Sequence, residues 1–288
     1  MQSMDRFGIQ RRWGAGLSGL LLSASVGISG AFDLLPARGQ STSTIDVAKM
    51  QLTFNEDFDD LDVSPWGPNT RWIAHTPWAG DFGDAQFADP RKGVFPFTIE
   101  NGILRIEARK NQDGKWQSGL LASADPNGRG FSQQYGYFEM RAKLPAGKGV
   151  WPAFWLANIK DPKASSSVEI DVMEYYGHNP RDYQITTHSW ALAPTATPQH
   201  ASRLVDVPAN FLTDEFHSYG VLVRPDVVIF YLDRTEVWRT KTPPDLNRPL
   251  LILVNLALGS GWPIDETPNP SYMYVDYIRA YAEPATPH

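Results

Sequence analysis

From Leu52 onward the chain falls into short runs in which apolar and polar residues alternate, separated by Gly, Pro, Asn and Asp. A period of two sends successive side chains to opposite faces of a strand, so each run predicts a strand with one dry and one wet face. Ile103–Arg109 (ILRIEAR) alternates after the turn Glu100–Asn101–Gly102, and Gly136–Leu144 (GYFEMRAKL) alternates before the turn Pro145–Gly149. Tyr219–Arg224, Val227–Asp233 and Glu236–Arg239 follow as successive strands, with Asp233–Arg234 at a hairpin tip. Leu250–Leu258 replaces alternation with a continuous apolar run, which fits a strand covered on both faces. Tyr272–Tyr281 returns to clean alternation. No long stretch carries a helical period, and no internal repeat stands out. The expectation is an all-β fold, an antiparallel two-sheet β-sandwich of the jelly-roll type over residues 51–284.

One strand-like run carries unusual charge. Val168–Tyr176 (VEIDVMEYY) holds three carboxylates, Glu169, Asp171 and Glu174, among β-favouring residues. Alternation puts Glu169 and Asp171 on one face, whereas Glu174, five positions after Glu169, falls on the other. A β-bulge at Val172–Met173 returns all three acids to one side, and bulges recur beside active sites. Two glutamates leaning together from backbones roughly 13 Å apart can approach the ~5–5.5 Å separation of a retaining glycosidase. One glutamate must then be ionised to attack an anomeric carbon and the other protonated to release the leaving oxygen. A third carboxylate disfavours full ionisation and helps keep one proton in the group. The plain alternative is an edge strand whose acids discourage aggregation.

Composition narrows the class. With 288 residues and 42% hydrophobic content, the chain suits one large β domain. A net charge of −6 and no basic run after the N-terminus argue against nucleic acid as a partner. Cysteine is absent, which removes disulfides, thiolate metal sites and thiol nucleophiles. Ten Trp, eleven Tyr and fourteen Phe serve either to fill a β core or to stack on the apolar faces of sugar rings. At the N-terminus, Arg6, Arg11 and Arg12 precede the uncharged run Trp13–Phe32, and small residues follow. That is the pattern of a secretory signal peptide over residues 1–39, cleaved after Ala31 or Gly39. An uncleaved membrane anchor is the rival, weakened by the Gly and Ser content of the run. Residues 40–50 read as a short linker. A secreted or periplasmic monomer, not bound to a membrane once processed, is expected.

The ordered set NEDF (55–58), NGILRIEAR (101–109), YGYFEMRAKLPAGKGVWP (135–152), AFWL (153–156), EIDVMEY (169–175), LVNLALGSGWP (253–263) and VDYIRAY (275–281) resembles glycoside hydrolase family 16. The resemblance spans nearly all of the chain beyond its N-terminal segment. It implies a concanavalin A-like jelly roll with a substrate cleft across one sheet, and an endo-acting enzyme on β-glycans. By this resemblance Glu169 is the nucleophile, Glu174 the acid/base and Asp171 the central aspartate that holds Glu169. The additional Met173 matches the bulged members, which include laminarinases, agarases and carrageenases. Trp151 and Trp155, four apart, share a face of one strand; Trp151 resembles the tryptophan beside the cleaved sugar, and Trp155 either contacts glycan or packs beneath. His188 falls where laminarinase-like members carry a cleft histidine, placed to bond Glu174 or the leaving sugar. Ser189–Trp190 after it departs from the laminarinase-like glycine. Asn255 and Trp262 match the segment that closes one side of the cleft, and Trp78, in the loop WAGDFGDAQ (78–86), is a candidate for the outer subsites. No cofactor is implied for catalysis. The resemblance also implies a structural calcium, with Glu56, the Gly102 carbonyl and Asp276 as the matching oxygen ligands. The expected function is hydrolysis of a β-1,3- or β-1,3-1,4-glucan or a bacterial exopolysaccharide by double displacement. A transglycosylase on the same intermediate and a non-catalytic lectin-like glycan-binding module are the alternatives.

Overall fold

The period-two runs form strands in a computed structural model, which describes residues 43–284 apart from 79, 92–94 and 160. The signal-peptide segment and both cleavage points therefore lie outside the described residues. In chain order, β1 is Gln51–Glu56, β2 Val63–Ser64, β3 Trp72–Ile73, β4 Gln86–Phe87 and β5 Phe97–Glu100. Next come β6 Ile103–Lys110, β7 Trp116–Ser118, β8 Leu120–Ala122, β9 Gly136–Lys143 and β10 Val150–Asn158. β11 (Ser166–Glu174), β12 (Asp182–Ala191) and β13 (Gln199–Asp206) lead to a single helical turn, α1 (Phe211–Asp214). β14 (His217–Val223), β15 (Val227–Leu232), β16 (Thr235–Lys241), β17 (Leu250–Leu258) and β18 (Ser271–Ala282) complete the order.

Two sheets stack face to face. One runs β13-β12-β11-β10-β17-β8-β3-β2, and the other runs β16-β15-β14-β9-β18-β6-β7-β4 with β1 beside β18 and β5 beside β6. Pairing is antiparallel except at β2–β3 and β4–β7, two parallel contacts between strands of two or three residues at the sheet margins. The jelly-roll expectation holds with that local correction. At the β15–β16 tip, Asp233 and Arg234 adopt φ of 49° and 62°, the left-handed pair that a tight hairpin needs.

The run Leu250–Leu258 is apolar because β17 is covered twice. Leu250, Ile252, Val254, Leu256 and Leu258 point into the core between the sheets. Leu251, Leu253 and Ala257 point the other way, into a second apolar cluster with Leu120, Ala122 and Trp155. Trp78, Phe82 and Phe87, from the segment between β3 and the end of β4, roof that second cluster. The same outer sheet face carries the candidate chemistry.

Residues 43–50 are not a linker. Thr44 bridges Thr235, Ile45 N–H donates to the Arg234 carbonyl at 3.0 Å, and a short 3-10 turn spans Val47–Lys49. Ile45, Val47 and Met50 pack on Tyr137, Ile229, Tyr231 and Tyr281. Their apolar contacts hold this segment to the outer face of the larger sheet, where its polar remainder stays wet.

Candidate active site

β11 lies between β10 and β12, and its register shows how three acids come to one face. Ala153 pairs Glu174 and Phe154 pairs Met173, but Trp155 then pairs Asp171, so Val172 has no opposite number. On the other side, Asp171 pairs Thr186 and Glu174 pairs Gln184, which sets two residues, Val172 and Met173, against one, Ile185. The bulge therefore sits at Val172–Met173, where the spacing of the acids required it. Val168, Ile170, Val172, Met173 and Tyr175 all enter the core between the sheets. Glu169, Asp171 and Glu174 are left on the opposite, cleft-facing side.

Each acid has its own partners. The Trp151 indole N–H and the Tyr176 hydroxyl both donate to Glu174 Oε1, at 3.1 and 3.0 Å. With Oε1 occupied by two donors, a proton on Glu174 resides on Oε2. Trp151 and Tyr176 stack at 6.1 Å, which fixes both donors. His188, in register with Glu169 across the β11–β12 pair, places Nε2 3.1 Å from Asp171 Oδ2. The sequence-based expectation had His188 on Glu174 or the sugar; the register brings it to the central aspartate instead. Trp190 stacks on the His188 ring at 4.6 Å, and its indole favours the ionised form of Glu169.

Electrostatics follow from this crowding. Burial first, and the Asp171 charge second, push Glu169 up from 4.5 to about 8 and Glu174 up to about 7. The charge of His188 pulls against both rises, as do Trp190 at Glu169 and Tyr176 and Trp151 at Glu174. Glu169 and Glu174 thus hold protons more tightly than free carboxyls near neutral pH, the state that acid catalysis needs. Nucleophilic attack needs Glu169 as the anion, and Trp190 and His188 are the groups that favour it.

Beside Glu169 a cavity of about 240 Å³ opens, lined in part by Trp78, Asn158, Ser167, Trp190 and Leu192. On the Glu174 side, Ser260 hydrogen-bonds Tyr176, and Trp262 from the same loop is 50% exposed and stacks on His178 at 4.8 Å. An exposed indole thus stands at the Glu174 end of the acid row and two half-buried ones, Trp78 and Trp190, at the Glu169 end.

The sequence model of glycosyl hydrolases family 16 matches residues 92–279. The chain belongs to this family. It is 31% identical over 271 residues to Endo-1,3-1,4-beta-glycanase EglC of Rhizobium meliloti, covering 86% of this chain and 55% of that protein. It is also 31% identical over 261 residues to Endo-1,3-1,4-beta-glycanase ExsH of the same organism, covering 83% and 53%. The chain spans about half the length of these curated relatives. Among solved structures, the laminarinase catalytic domain of Thermotoga maritima superposes with a TM-score of 0.64 at 25% identity, covering 82% of this chain and 99% of that one.

Of the residues expected from the family pattern, Trp155 takes the second of its two expected positions, packed beneath the cleft, while Asn255 and the calcium set take other places. Trp155 is 6% exposed and Asn255 fully buried, and the Trp155 indole N–H donates to Asn255 Oδ1 at 2.9 Å. They form the floor under the cleft, roofed by Phe82 and Trp78, and do not face a sugar. The calcium set does not fit. Glu56 Oε2 accepts from Arg71 Nε at 2.7 Å and from the Trp72 indole at 2.8 Å, while Oε1 accepts the Phe58 N–H at 3.1 Å. Asp276 is engaged by the Arg141 guanidinium. Guanidiniums stand where a cation would have to sit between Glu56 and Asp276, and Gly102 lies in a left-handed turn (φ 74°). Tyr176, Trp190, Phe82 and His178 were missed as site residues. Tyr176 and Trp190 were readable, because each lies two positions beyond a residue already placed on the cleft face.

Proposed function

We propose that the chain is a retaining endo-β-glucanase acting on β-1,3- and mixed β-1,3-1,4-linked glucans. The observation that carries this reading is the β11 bulge, which gathers Glu169, Asp171 and Glu174 on the cleft face. The names of the matched relatives support the substrate class.

Glu174 Oε2 gives its proton to the glycosidic oxygen while Glu169 attacks the anomeric carbon, forming a glycosyl ester and releasing the aglycone. Glu174, now ionised, removes a proton from water, whose oxygen attacks the same carbon and expels Glu169. Asp171, paired with His188, holds the Glu169 side of the row and opposes simultaneous ionisation of its neighbours. Trp78 and Trp190 stack on the sugar beside Glu169, and Trp262 supports the sugar beyond Glu174. An exposed Trp262 next to the acid/base also suits an acceptor sugar, which favours transglycosylation as the second reading. Export is proposed from Arg6, Arg11 and Arg12 ahead of the uncharged run Trp13–Phe32.

The test is release of reducing ends from a panel of defined β-glucans and galactans by the purified protein and by Glu169→Gln. Release from a β-1,3-containing glucan, lost in Glu169→Gln, is expected. Release from none of the panel, with binding retained, would move the chain to the lectin-like reading. Product sizes above that of the substrate at high acceptor concentration would favour the transglycosylase.

A further inference from the structure

The segment that carries Trp78 and Phe82 meets both ends of the acid row. Trp78 lines the cavity beside Glu169. Phe82 packs edge-on against Trp151 at 5.3 Å, and Trp151 in turn donates to Glu174. Asp81 lies between these two aromatic contacts in the chain. How Asp81 is held therefore bears on the sugar platform and on a donor to the acid/base at once.

Backbone bonds anchor the segment on either side of Asp81. Thr76 Oγ1 is 3.2 Å from the Trp78 carbonyl and 3.0 Å from that of Gly80, and the Asp84 N–H donates to the Leu258 carbonyl of β17 at 2.9 Å. Between these anchors the buried side chain of His75, just beyond β3, reaches Asp81. Its Nδ1 lies 3.4 Å from Asp81 Oδ1, and its Nε2 lies 2.9 Å from Asp89 Oδ1. Ionised carboxylates only accept, so both ring nitrogens donate and His75 is an imidazolium. Trp66 stacks on the ring at 4.4 Å and 11°, which fixes the plane in which both bonds point. The Asp89 side chain is 71% exposed and that of Asp81 27%, so water screens Asp89 more and Asp81 is the stronger partner. The Asp81 bond, with Asp89 behind it, raises His75 above its usual 6.5 against the opposing effect of burial. Arg91 and Arg109 line the small cavity that His75 borders, and Arg109 is itself paired with Glu107.

We infer that His75 is a positioning residue for glucan binding: as an imidazolium it ties Asp81 down, and so holds Trp78 in place beside Glu169 and Phe82 against Trp151. The inference rests on the glucanase reading for its ligand; the tie from His75 to Asp81 does not. A neutral imidazole carries one N–H, so loss of the proton gives up one of the two bonds. A histidine raised on folding makes its full contribution below 6.5 and loses it as pH rises through the folded value. The Trp78 platform is therefore held best on the acid side, where Glu174 also keeps its proton.

The experiment is NMR on the full chain carrying Glu169→Gln, which removes the titrating carboxylate beside Trp78. The His75 ring protons and the Trp78 indole N–H are followed without sugar from about pH 5 to about pH 9, and binding of a β-1,3-glucan tetrasaccharide is measured at both ends. Ring protons and indole should share one midpoint, above 6.5, and affinity should be about tenfold weaker at the alkaline end. Adding His75→Gln should abolish the pH step of the indole and bring affinity at the acid end near the alkaline value. Asp81→Asn keeps the shape and removes the charge, and should lower the shared midpoint. An indole step or a pH-dependent affinity undiminished by His75→Gln, or a His75 midpoint at or below 6.5, would overturn the inference. A shared midpoint with no glucan bound at either end would support the tie and count against the proposed substrate.

Discussion

Glu174→Gln separates what the proposed acid/base does from what it costs the fold. Glu174 is 9% exposed, and burial with the Asp171 charge pushes it up from 4.5 to about 7. A carboxyl whose folded value lies above its unfolded one binds its proton more tightly in the folded protein. Stability is therefore intact below about pH 4.5, falls as pH rises toward 7, and stays reduced above it. At about 1.4 kcal/mol per pH unit, the interval from 4.5 to about 7 amounts to about 3 kcal/mol. Glutamine keeps the shape and an oxygen for Trp151 and Tyr176, but it cannot ionise. The variant should match the parent to within about 1 kcal/mol near pH 4, and be more stable by about 3 kcal/mol near pH 8. Thermal midpoints should rise by roughly 6–12 °C at the higher pH. Urea unfolding followed by tryptophan fluorescence across that pH range measures the difference, while turnover of unactivated glucan falls about 10²–10⁴-fold. Glu169 titrates in the same direction but is present in both proteins. A stability difference that does not change with pH, or that grows toward acid, would refute the buried-charge reasoning.

Other outcomes follow from the same contacts. His188→Gln removes the partner of Asp171 and a positive charge that holds Glu169 and Glu174 down. Its kcat/KM should fall about 10–100-fold, with both limbs of the pH profile moved to higher pH; an unchanged profile would count against the pairing. Tyr176→Phe takes one donor from Glu174 Oε1, so Glu174 holds its proton more tightly and the one limb of the pH profile that follows Glu174 should move upward, the other staying in place. Because Arg71 and Arg141 occupy the carboxylates of Glu56 and Asp276, EDTA should leave the thermal midpoint unchanged. A drop in midpoint restored by added calcium would contradict that assignment.

What the chain revealed unaided was whatever depends on period. Alternation located β6, β9, β14, β15, β16 and β18 but not β12 or β13, and the unbroken run Leu250–Leu258 identified a strand with two covered faces. The bulge was legible because five positions between Glu169 and Glu174 cannot share a face without one extra residue. What escaped depends on partners distant in sequence. Trp151 and Trp155 share a face, yet only the roof brought by Trp78 and Phe82 decides that Trp155 lies underneath. His188 faces the acid row, but which acid it meets is set by the β11–β12 register. Glu56 and Asp276 look like free oxygen ligands until Arg71 and Arg141 arrive from elsewhere in the chain. Ile45, Val47 and Met50 are too few and too irregularly spaced to show a period, so a packed segment read as a linker.

The central claim is that Glu169 becomes covalently bonded to sugar while Glu174 manages the proton. Incubating the protein with an activated 2-deoxy-2-fluoro β-glucan oligosaccharide slows the second step and traps the intermediate for peptide mapping by mass spectrometry. The account predicts one sugar adduct per chain, located on Glu169 and absent in Glu169→Gln. An adduct on Glu174 or Asp171, or steady turnover of the natural glucan with no adduct and an inverted product anomer, would contradict it.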